Sequence, residues 1–105
     1  MLLNENTGSI ISFEVAKKFV KDFEIKFPRQ IVSSFIGSEN VKLILAQQNC
    51  IGIRIYNGYD VAKEKISLVL IGVDSNEQDI LDGGLIYDEM VTCPPICPVN
   101  GLLTN

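Results

Sequence analysis

At 105 residues, 47% hydrophobic and 21% charged, the sequence has room for one hydrophobic core and reads as one globular domain over residues 1–105. No apolar run nears the ~20 residues needed to cross a bilayer, and the first residues lack the basic and apolar regions of a signal peptide, so the expectation is a cytoplasmic protein with no membrane partner. There is no histidine, which removes histidine-based nucleophile pairs and histidine-ligated metals within one chain.

The charge of −4 is unevenly placed. All nine basic residues lie at or before Lys65, while Asp74, Glu77, Asp79, Asp82, Asp88 and Glu89 follow it. An acidic second half repels phosphate backbones, so no nucleic acid partner is expected. Lys17, Lys18, Lys21 and Lys26 read as a solvated helix face.

Residues 1–11 form a lead-in, and residues 12–49 a helical part. Ser12 is placed to cap a helix over about residues 13–26, with Glu14 in its first turn. Phe13, Ala16, Val20, Phe23 and Phe27 recur at spacings of three and four, and Val15 and Phe19 widen the stripe. Such an aromatic stripe is expected in the core, and Pro28 ends the helix. Ile31 to Ile36 is a short strand or an extended connection. Ser38 is then expected to cap a second helix, with Val41, Ile44 and Leu45 on its apolar face, an end near Gln48, and Asn49 in a left-handed conformation.

Residues 50–90 carry the sheet. Ile51, Ile53 and Ile55 alternate with Gly52, Arg54 and Tyr56, the period of a strand with one apolar face. Leu68, Val69, Leu70 and Ile71 are consecutive, so both faces of the second strand, Ile66–Val73, call for cover and put it between two neighbours. Asn57-Gly58 favours a reversal, and the connecting loop is expected over roughly residues 57–65. A turn at Asp82-Gly83-Gly84 leads to a third strand at Leu85–Asp88. Residues 91–105 form a wrapping tail in which Pro94, Pro95 and Pro98 exclude helix and central strand. The fold expected is α+β: two N-terminal helices packed on a small antiparallel sheet of about three strands, with a C-terminal Cys/Pro-rich tail.

Arg54 is the residue that most needs explaining, because it points to the face that the neighbouring strand also wants covered. A partly buried guanidinium requires a carboxylate or carbonyl partner, and Asp74 or Asp88 is the expected source. The ordinary reading is a structural ion pair or a solvated arginine. The sharper one is a binding face made by Arg54 and Tyr56, with Asp74 and Asp88 nearby, for an unknown protein or a small anionic ligand. Asp74 to Asp79 begins like a calcium loop, but Asp79 stands where the turn glycine belongs and Leu85 where a bidentate glutamate belongs. It reads as a solvated acidic loop.

Cys50, Cys93 and Cys97 are three thiols. Cys93-Pro94-Pro95-Ile96-Cys97 is not the Cys-x-x-Cys motif, and four zinc ligands are not assembled. Three reduced cysteines, a Cys93–Cys97 disulfide, and metal binding that recruits Cys50 are the alternatives.

Gly52-Ile53-Arg54-Ile55-Tyr56-Asn57-Gly58, Leu68-Val69-Leu70-Ile71-Gly72-Val73-Asp74, Tyr87-Asp88 and Cys93-Pro94-Pro95-Ile96-Cys97 together resemble a family of small bacterial proteins with no established activity. The resemblance covers about residues 35–103. It implies that Arg54, Tyr56, Asp74, Cys93 and Cys97 belong to one recurring arrangement, and it transfers no catalytic residue. The functional expectation is a non-enzymatic binding or interaction module without a cofactor. Two alternatives stand beside it: a redox-responsive or metal-binding protein using Cys93 and Cys97, and a homodimer paired through exposed sheet edges or tails.

Overall fold

A computed structural model describes residues 2–102, in the order α1 (Phe13–Lys26), β1 (Ser33–Phe35), α2 (Ser38–Leu45), β2 (Cys50–Asp60), β3 (Lys65–Asp74), β4 (Ile86–Tyr87) and β5 (Val91–Cys93). The fold is α+β, with two antiparallel sheets: three strands in the order β2-β3-β4, and a two-stranded ribbon of β1 and β5. The chain divides into two compact units, each assembled from segments far apart in sequence.

The first unit comprises the described part of Met1–Thr7 and Ile36–Met90. Its centre is β3, which pairs with β2 from Asp60↔Lys65 to Cys50↔Asp74 and with β4 at Leu70↔Tyr87 and Ile71↔Ile86. Leu70, Ile71 and Val73 are 6%, 3% and 4% exposed, so both faces of the middle strand are covered, as its unbroken apolar run requires. Directly opposite residues share a face. Ile53, Ile55, Leu70 and Gly72 therefore lie on one side, and Arg54, Tyr56, Val69, Ile71 and Val73 on the other. Helix α2 packs on β2 and β3. A methyl group built on Gly72 would meet Ile44 Cγ2 at 3.3 Å and Gln47 Nε2 at 2.7 Å, so that glycine lets the helix close on the sheet.

Several boundaries differ from expectation for identifiable reasons. The chain does not turn at Asn57-Gly58. It continues in register, Asn57 opposite Leu68 and Gly58 opposite Ser67, and reverses over residues 61–64. Asp60 Oδ1 accepts the Lys63 backbone N–H at 3.2 Å, which fixes the turn there, and Glu64 closes it with φ +55°. This stretch of the strand needs a glycine at position 58, since a Cβ there would run into the Ser67 carbonyl. Ser38 does not cap α2. It is the first helical residue, with Gly37 at the N-cap and no side-chain cap bond. The helix ends at Leu45 rather than near Gln48, and Asn49 takes the left-handed conformation (φ +63°) at the entrance to β2. Gln47 ties this corner together: its Nε2 donates to the Ile44 carbonyl at 2.9 Å, and its Oε1 accepts the Leu85 N–H at 3.0 Å.

The second unit comprises Gly8–Phe35 and the described part of Val91–Asn105. Ser12 Oγ accepts the Val15 N–H at 3.1 Å and caps α1 as expected. The aromatic stripe is not core, however: no residue of α1 is buried, and Phe13 and Phe19 are 52% and 63% exposed. At the stripe's end the Phe23 and Phe27 rings meet locally, with centroids 5.0 Å apart. The tail is not simply a wrapping segment. Val91–Cys93 forms a strand on Ser33–Phe35, and the Val32 N–H extends the ladder to the Cys93 carbonyl at 2.7 Å. The prolines end this strand and do not prevent it, since the first stands at position 94.

Candidate functional site

Arg54 sits in the middle of β2, opposite Ile71. Its Nη1 donates to Asp79 Oδ1 at 2.6 Å, and its Nη2 points at the Glu77 carbonyl at 3.5 Å. The Tyr56 hydroxyl donates to the other oxygen of the same carboxylate, Asp79 Oδ2. One carboxylate thus holds both Arg54 and Tyr56, neighbouring side chains on this face of β2. The guanidinium is pushed above its ordinary value, first by hydrogen bonding with Tyr56, against burial, and then by the charge and hydrogen bond of Asp79. A group that ionised and already strongly basic keeps its charge at every pH at which the fold persists.

The carboxylate on Arg54 is neither Asp74 nor Asp88. Asp74 Oδ1 accepts the backbone N–H groups of Asn76 and Gln78 at 2.9 and 3.0 Å, so Asp74 shapes its own loop. Asp88 is exposed beyond β4. Asp79 arrives because that loop reverses the chain and lays it back along β3, with Asp79 opposite Val73 and the Ile80 N–H on the Gly72 carbonyl at 2.9 Å. Val73 lies on the Arg54 face, so the carboxylate opposite it lies there as well. The sequence holds a signal for this: a loop of five residues beginning with a turn-forming aspartate returns the next residue to the strand it left.

On its other side β2 pairs with nothing among the described residues. A cleft of about 390 Å³ is lined by Ile51–Ile55 of β2, by Val73 of β3 and by Leu3, Asn4, Glu5 and Thr7. The lead-in residues among them form a turn closed by the Thr7 N–H on the Asn4 carbonyl at 3.1 Å and by the Asn4 N–H on Thr7 Oγ1 at 2.9 Å. Further along β2, Ile55, Tyr56 and Tyr59 are 58%, 46% and 56% exposed. The lead-in therefore contributes to this unit, which its polar composition did not indicate.

Cys93 and Cys97 form a disulfide with Cα atoms 4.8 Å apart in the second unit, and Cys50 is a free, half-buried thiol in the first, its Sγ on the Gly52 carbonyl at 3.3 Å. Among the described residues no group of three or more histidine, cysteine, aspartate or glutamate side chains is placed to share a metal ion. No helix among them is long and apolar enough to cross a membrane. Compared with protein-family models, curated proteins and solved structures, the chain matches none. No residue's role is carried over from another protein.

Proposed function

We propose that the chain is a non-enzymatic binding module that takes an extended polypeptide along the open edge of β2. The observation that carries this reading is an 11-residue strand that, among the described residues, pairs with another strand on one side only. Such an edge presents a row of backbone donors and acceptors, which give affinity to any added strand, while alternate side chains select among strands. Arg54 and Tyr56 serve it by holding β2 against Asp79. A small anionic ligand has weaker support, because it would have to displace a carboxylate already on the guanidinium.

A displayed library of random peptides, selected on the chain and followed by amide exchange, tests the proposal. Selected peptides slow exchange at amides within residues 51–60. Peptides that protect only amides outside β2 refute it.

A second reading has one observation in its favour, the Cys93–Cys97 bridge. It supports a thiol-responsive protein, and it argues for an oxidising compartment over the cytoplasm, where such bonds are rare. Replacing both cysteines by serine leaves β2 recognition intact if the edge alone is the site.

A further inference from the structure

We propose that the occupant of this edge is a second copy of β2, antiparallel about a two-fold axis through Asn57. The inference rests on the edge being a strand-binding site and names its partner. Natural edge strands are blunted by shortness, proline, bulges or outward charges. Strand β2 is long and contains no proline, and its one irregularity lies at its start, between Cys50 and Gly52. Its single cation, Arg54, is drawn across the sheet face to Asp79. From Ile55 to Tyr59 there is no charge, proline or bulge to discourage pairing.

The register follows from exposure and from the side chains it brings opposite one another. Residues Cys50–Arg54 are half-buried, with Leu3–Thr7 along part of them, whereas Ile55, Tyr56, Asn57 and Tyr59 are exposed. That exposed run is centred on Asn57. Antiparallel pairing about Asn57 sets Ile55 opposite Tyr59 of the second copy and Tyr56 opposite its Gly58, each twice by symmetry. Aromatic residues facing a β-branched residue and a glycine are favourable cross-strand neighbours. A register centred on Ile55 instead sets Cys50 against Asp60, draws the half-buried stretch Cys50–Arg54 into the interface and takes in the irregularity between Cys50 and Gly52. Because a single strand edge is a small interface, the dimer is a weak one that forms with rising concentration.

The test uses the full chain. Light scattering from low micromolar to millimolar concentration shows a shift from monomer to dimer, and Asn57→Lys, which places two lysines face to face on the axis, abolishes it. The melting temperature of the dilute variant, unchanged, shows that it folds. In a Cys50→Ser background, Asn57→Cys puts two cysteines at antiparallel-pair spacing, about 4.5–5.5 Å between Cα atoms and within disulfide reach. It cross-links under mild oxidation. Ile55→Cys does not, since its copies stand roughly 13 Å apart along the strands. A monomer at every concentration, a dimer insensitive to Asn57→Lys, or equal cross-linking at both positions overturns the proposal. Amide exchange separates the two failures. A monomer with fast-exchanging outward β2 amides overturns self-pairing alone, and one with those amides protected shows the edge closed by the chain itself and overturns the strand-binding reading too.

Discussion

Truncating Ile44 to alanine probes the point on which the first unit depends. Ile44 is fully buried, and it packs from α2 onto the backbone of β3 at Gly72, beside Leu70. Removing three carbons forfeits about 0.8 kcal/mol each in transfer free energy, or roughly 2.4 kcal/mol. An unrelaxed void of about 50 Å³ adds roughly 1.2 kcal/mol at the usual cavity cost. The sum, about 3.5 kcal/mol, is a large share of the roughly 5–15 kcal/mol that holds a domain together. For a cooperative unit of this size it corresponds to a fall of roughly 15–25 °C in Tm. Urea unfolding followed by circular dichroism measures it, with Ile44→Val as the graded case at about 1 kcal/mol. Leu43→Ala, on the exposed side of the same helix, is the control. Should Ile44→Ala cost no more than Leu43→Ala, the α2–β3 contact is not what stabilises the sheet, and the argument from the doubly covered strand fails.

Three further outcomes are expected. Gly84→Ala pushes a Cβ into the Ile80 carbonyl, a clash with backbone that cannot rotate away, and costs about 1–3 kcal/mol in urea unfolding. Gly52→Ala meets nothing within 4 Å, so equal losses at both positions would contradict the packing. Glu64→Gly relieves a left-handed backbone (φ +55°) at an exposed turn and raises stability by about 1 kcal/mol, whereas a lowered unfolding midpoint would show the turn to be differently built. Denatured without reductant, the chain titrates one thiol, Cys50, and after reduction three, with an intact mass heavier by two hydrogens; three thiols at the outset would remove the Cys93–Cys97 bridge.

Local pattern was readable where a residue's immediate neighbours decide its conformation. The isoleucine alternation of β2, the unbroken apolar run of β3, the Ser12 cap and the left-handed Asn49 all belong to this class. The failures share a different cause. The stripe of α1 has the period of a buried helix, yet period reports a face and not what covers it, and Phe19 stays 63% exposed. Asn57-Gly58 has turn chemistry, but strand pairing with Leu68 and Ser67 overrides it, and the reversal goes to Asp60, whose side chain caps it. Strand β5 was hidden because its partner, Ser33–Phe35, within the stretch read as a short strand or an extended connection, lies nearly sixty residues away, and Val91–Cys93 is too short to announce itself.

The candidate site shows the same division at finer grain. That Arg54 needed a carboxylate followed from the alternation alone, since the face it shares with Ile71 is covered. Which carboxylate depended on how the chain leaves β3. Asp74 is nearest in the strand, but its oxygen is consumed by the Asn76 and Gln78 N–H groups, and this turn is what returns Asp79 to lie opposite Val73. The aspartate expected to bind arginine instead builds the loop that delivers the one that does. With Asp79 also taking the Tyr56 hydroxyl, the polar face of β2 is satisfied within the sheet, and the unmet capacity of the strand lies in its backbone along the open edge. Strand addition along this edge, as proposed above, would use that backbone, with register and the exposed run from Ile55 to Tyr59 selecting the added strand.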